Sequence, residues 1–246
     1  MKPSVALLLP LLLVACSSTP APPALYSVSG VLYDFNPVAT PESAFTPWSG
    51  GAGDIKAMAA AEALATASVS AQGAFKLMLP AKPDDSSLVT LEAARRTFNN
   101  PACTGSVTIS NPQALVNFVD FAVVRGDDTR AARPYELRQT TGSDGLTHTI
   151  STTGALIYAN APTTLAGEQV CGSMLSSSVS KITVNWELKQ GYNTVLLIED
   201  SVDTQGRLTV ETTYINGPLP AQWIAPSIST VFPLLFQADP FRKLLN

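Results

Sequence analysis

The chain has 246 residues, of which 46% are hydrophobic and only 14% charged, with a net charge of −4 and a single histidine. That acidic balance, with no basic patch, argues against a nucleic-acid partner. A zinc centre needs three or four nitrogen or sulfur ligands, more than one histidine and three scattered cysteines provide.

The N-terminus carries one positive residue, Lys2, then an apolar run from Val5 to Val14 that ends in Leu13-Val14-Ala15-Cys16. A charged start, an apolar middle and small residues before a cut are the order of a secretory signal. The run is about half the roughly 20 residues that a membrane-spanning helix requires. Leu13-Val14-Ala15-Cys16 resembles a bacterial lipobox. The resemblance implies cleavage before Cys16 and acylation of that cysteine, whose thiolate is the nucleophile that accepts the lipid. Residues 1–15 are then a signal peptide and Cys16 is the lipidation site. Ser17 after the cysteine implies sorting to the outer membrane in a two-membrane host.

Residues 16–24 hold three prolines and no charge, so they read as a semi-extended tether of about 3 Å per residue. The leader takes Lys2 with it, moving the net charge from −4 to −5. About 220 residues remain, rich in Ser, Thr, Pro and Gly, enough for one large or two small β domains.

Tyr26 to Tyr33 alternates apolar and polar residues, the period of a half-buried strand. Asn36-Pro37 and Thr40-Pro41 break it. Ala67 to Pro80 holds two alternating runs about Ala71-Gln72-Gly73, a hairpin turn, with Phe75, Leu77 and Leu79 on one side. Between them, Asp54 to Leu64 is helical by propensity. A sandwich needs two strands there, joined at Ala60-Ala61-Glu62, and the strand reading is preferred because tertiary context overrides propensity. Val28-Ser29-Gly30-Val31 together with Gly73 to Leu77 resembles the carboxypeptidase regulatory-like, or prealbumin-like, β-sandwich. That resemblance implies a small non-catalytic module over residues 25–83, although Gln72 stands where such turns carry an acid.

Lys82 to Ser87 is polar and turn-rich, and so marks a boundary. Strands are expected at Ser106–Ser110, Phe118–Val124, Leu156–Tyr158, Lys181–Leu188, Gly191–Glu199 and, after a turn at Asp203–Gly206, Arg207–Thr212. Their spacing predicts a second, larger antiparallel sandwich over residues 88–217. With Cys16 committed to lipid, Cys103 and Cys171 remain, and in an exported chain they are expected to form a disulfide stapling two edges of this unit. Neither has a nearby Cys or His that would make a metal or redox site. Leu188 to Val195, with Cys103-Thr104-Gly105 upstream, resembles uncharacterised exported bacterial lipoproteins with a Leu-x-x-Gly-Trp-Asn-x-Val pattern, Tyr192 replacing the Trp. Physically, Gly191 makes a turn, Tyr192 plugs the core and Asn193 bonds a neighbouring backbone. The tail, 218–246, is Pro-rich and apolar and is expected to pack on the sandwich, with Asp239-Pro240 opening a short C-terminal helix.

The fold expected is therefore all-β, one small and one larger antiparallel sandwich. No catalytic residue, metal site or cofactor is assigned. His148 lies among threonines, with no acid close in sequence to orient it, and reads as a surface residue. Asp127-Asp128 and Glu199-Asp200 with Asp203 are the clustered oxygens closest to a calcium pattern, and read as solubilising hairpin tips. Arg95-Arg96 and the Arg125–Arg138 stretch read as solvated surface. The expectation is an envelope lipoprotein, held on the non-cytoplasmic face through Cys16, with a non-catalytic structural or binding role toward a protein or envelope polymer. The runner-up is a hydrolase of an envelope polymer, because carboxylates assembled by folding leave no local spacing signature.

Overall fold

The computed structural model describes residues 25–37, 39–60, 62–92, 103–172, 179–205 and 207–226. The lipobox, Cys16, the tether, Arg95-Arg96 and the terminal helix lie outside them. The described chain is nearly all β, as its alternation predicts. In order the strands are β1 (Tyr26–Phe35), β2 (Phe45–Pro47), β3 (Gly53–Ala59), β4 (Glu62–Val69), β5 (Ala74–Leu79), β6 (Val89–Thr90), β7 (Thr104–Ile109) and β8 (Leu115–Arg125). They continue as β9 (Asp128–Thr141), β10 (Thr147–Ala159), β11 (Thr163–Gly172), β12 (Val179–Leu188), β13 (Gly191–Thr204), β14 (Arg207–Asn216) and β15 (Gln222–Ile224). Residues 54–67 form two strands, joined at Ala60, which takes a left-handed φ of 53°. The Ala-rich segment is pulled from helix because Ile55, Ala57 and Ala59 alternate into the core.

The first half closes into a ring. β3 pairs with β4, β4 with β5, β5 with β1, β1 with β15, β15 with β9, β9 with β8, and β8 returns to β3. Closure removes the exposed edges that an open sheet would leave. Leu32, Ile55, Leu77, Phe121 and Trp223 pack together inside. Trp223 is fully buried, edge-on to Phe75 at 5.0 Å and to Phe121 at 4.9 Å. Gly30 leaves room for that indole: a Cβ there would sit 2.2 Å from Trp223 Cδ1.

The remaining strands continue the sheet in the order β10, β13, β14, β12, β11, β7 around a second core of Ile157, Leu165, Val184, Trp186, Leu188 and Val195. β8 and β10 are the shared wall. Phe118 and Ile157 face one core, while Val119 and Leu156, their chain neighbours, face the other. Both faces are buried at these positions, so apolar residues stand next to one another there.

Two expectations change. The units 25–83 and 88–217 are not self-contained, because the first core is completed by β8, β9 and β15 from the later chain. Leu32 and Leu77 share that core with Val119, Phe121, Val123 and Trp223. The sheet is also mixed, since β1–β15 and β12–β14 run parallel. The segment Asp85–Ser87 is a short 3-10 turn in which the Ser86 N–H donates to the Asp84 carboxylate, in keeping with its polar composition.

Candidate functional site

Among the described residues a cleft of about 560 Å3 lies where the β1–β2 corner meets β9 and the chain leading into β15. Tyr33, Phe45 and Tyr135 line it, with Glu42, Glu136 and Gln222 around them. The prolines that end β1 send the chain through a turn, closed by the Asn36 N–H donating to the Ala44 carbonyl at 2.8 Å. The return pairs Phe35 with Phe45 and Tyr33 with Pro47. Tyr135 arrives on β9, just beyond the Trp223–Pro134 pairing.

The rings hold one another. Phe35 lies 5.0 Å from Tyr135 and 5.3 Å from Phe45, and Tyr33 meets Phe45 edge-on at 6.3 Å. Such pairs prefer tilted or edge-to-face geometry and stabilise by about 1 kcal/mol beyond burial. All four rings stay half-buried. Aromatic rings held in a groove without full burial suit a site that takes up a ligand's surface.

Behind Tyr135 runs a polar chain. Ser151 on β10 bonds Tyr135, and its Oγ donates to Glu199 Oε2 at 3.4 Å. Burial pushes the Glu199 carboxyl above its usual range, opposed by the Ser151 bond and the Arg133 charge. Burial likewise raises the Tyr135 hydroxyl. Asp200, the next acid, projects from the opposite face of β13, as strand alternation requires. Glu199 and Asp200 are thus mid-strand and divergent, not at a hairpin tip. Asp128 is held by Arg130 Nε at 2.8 Å. Among the described residues no group of three or more His, Cys, Asp or Glu side chains is arranged to hold a metal ion.

Cys103 and Cys171 form a disulfide with Cα atoms 4.4 Å apart. Cys171 lies within β11, and Cys103 immediately precedes β7, its neighbour, so the bond ties adjacent strands and not two edges. The turn at 188–195 behaves as its residues predict. Gly191 takes a φ of 101°, Tyr192 packs against Tyr26 and Tyr158, and Asn193 clasps the loop. The Lys189 N–H donates to Asn193 Oδ1 at 2.8 Å, and Asn193 Nδ2 donates to the carbonyls of Lys189 and Gly191. Burial pushes the Tyr192 hydroxyl up to about 12.

His148 is not the isolated surface residue expected. Its Nδ1 lies 2.9 Å from Asp200 Oδ1 and its Nε2 3.3 Å from Asp144 Oδ2. Those bonds, the one to Asp200 foremost, raise its pKa above the ordinary histidine value. Asp144 is four residues away, on the β9–β10 turn, and Asp200 is brought diagonally across the β10–β13 ladder. With both ring nitrogens beside carboxylates, the charged form of the imidazole is favoured.

The fold and cleft define an all-β protein with an aromatic groove at a sheet corner. No family model, curated protein or solved structure matches the chain. Sequence reasoning missed the cleft because its residues come from four separate stretches. The local signals were Phe45 between Pro41 and Pro47, and Tyr135 directly after Pro134.

Proposed function

We propose that this protein is a lipid-anchored envelope lipoprotein that acts by binding, with the aromatic cleft as its binding surface and Cys16 as its anchor. The observation that carries the binding role is the set of half-buried, mutually braced rings of Tyr33, Phe45 and Tyr135 lining one groove. The lipobox supports the anchor. The raised Glu199 carboxyl would suit a general acid, but its chain neighbour Asp200 turns the other way and its bonding partner is Ser151. A two-carboxylate site at Glu199 would therefore not draw on Asp200.

Two measurements test the reading. Cys16→Ser is expected to shift the chain out of the membrane fraction or to accumulate precursor; a processed variant still partitioning with membranes would refute the anchor. Phe45→Ala with Tyr135→Ala is expected to lose the partner captured by mild crosslinking of envelope membranes. Unchanged capture would refute the cleft as the binding surface.

A further inference from the structure

We infer that the cleft binds a small organic cation, an ammonium group seated against the rings of Tyr33, Phe45 and Tyr135, with Glu42 and Glu136 supplying negative charge around the cleft. This rests on the binding role assigned to the cleft above. The residues around the cleft include Glu42 and Glu136 and no Lys, Arg or His, with Glu136 on the face of β9 opposite to Tyr135. Both acids are exposed and come from different parts of the chain, Glu42 from the turn between β1 and β2 and Glu136 from β9.

Aromatic faces carry the negative end of a quadrupole, so a cation over them is attracted, the more so when partly desolvated. Here the rings are already braced by Phe35, so little side-chain freedom is lost on binding. A bound anion would face two carboxylates. A neutral apolar ligand would strip water from them without offering a countercharge. The charges behind Tyr135 are of both signs: Glu199 and Arg133 act on its hydroxyl in opposite directions, so the backing does not reverse the field of the cleft. The volume, about 560 Å3, lies within the range of small-ligand sites. A ligand with a broad, weakly hydrated ammonium uses all these features together.

The test titrates the full chain, solubilised in a nonionic maltoside detergent, with choline and with 3,3-dimethyl-1-butanol, its uncharged isostere. Tyrosine and phenylalanine ring signals are followed by NMR. Choline is expected to bind saturably, and the isostere at least about tenfold more weakly. Glu42→Gln with Glu136→Gln should erase that preference while leaving the fold unchanged, since both side chains are exposed. Tyr33→Phe should retain choline binding and Tyr33→Leu should weaken it. The inference is overturned if the isostere binds as well as choline, if choline does not saturate, or if chitobiose, a neutral sugar, binds more tightly than choline. If choline fails while Phe45→Ala with Tyr135→Ala still loses the crosslinked partner, the ligand class is wrong and the binding role stands. If that variant keeps its partner, the binding role itself falls.

Discussion

Replacing Trp223 by alanine tests how the ring of strands is held shut. β15 is three residues long, yet it joins β1 to β9, and Trp223 is its fully buried member. Trp→Ala in a core costs about 3–5 kcal/mol. Two edge-on ring pairs, to Phe75 and Phe121, place this site in the upper half of that range, at about 4 kcal/mol. With a urea m-value of about 2.5 kcal/mol/M, the unfolding midpoint falls by about 1.5 M. Trp223→Phe is the informative companion. The indole N–H is buried without a hydrogen-bond partner among the described residues, so phenylalanine removes an unmet donor along with some volume. It should cost only about 1–2 kcal/mol. The assay is equilibrium urea unfolding under non-reducing conditions, followed by circular dichroism. A shift below about 0.5 M for Trp223→Ala would refute the claim that β15 seals the core. So would a phenylalanine variant as unstable as the alanine one, because the indole donor would then have a partner.

Breaking the disulfide with Cys103→Ser should lower stability by about 4 kcal/mol in the chain-entropy view, given the separation of 68 residues; a non-reduced digest must show the Cys103–Cys171 peptide pair, and two free thiols would contradict the structure. Asn193→Ala removes three hydrogen bonds at the β12–β13 turn and should cost about 2–3 kcal/mol, read by thermal unfolding; a loss under about 0.5 kcal/mol would show that the loop holds without it. His148 should titrate above the ordinary histidine pKa in an NMR pH series, and Asp200→Asn should bring it down. Because the folded-state pKa is the higher one, the stabilisation by His148 is full below the unfolded value of about 6.5 and fades as pH rises through the folded value. A titration at or below the ordinary value would refute the two-carboxylate arrangement.

Much of this protein was legible in its residues taken alone. Alternation placed β1, β5, β12, β13 and β14, because a strand with one wet face must repeat every two residues. Gly191 and Asn193 announced their turn, since a positive φ and a short amide are local demands. With Cys16 assigned to the lipobox, Cys103 and Cys171 were left to pair with each other, and they do. Tertiary structure alone decided the rest, and for one reason: each remaining feature depends on residues distant in the chain meeting across a sheet. The Ala-rich 54–67 stretch became two strands because β8 offered it an edge and a core face. β8 and β10 were shared between two cores, which merged the two expected units. β15 ran parallel to β1, a pairing that no local pattern encodes. Asp200 reached His148 from 52 residues away, giving an apparent bystander a carboxylate partner. The cleft was assembled from residues 33, 42, 45, 135, 136 and 222, each unremarkable in its own neighbourhood until the closing of the sheet placed them around one groove.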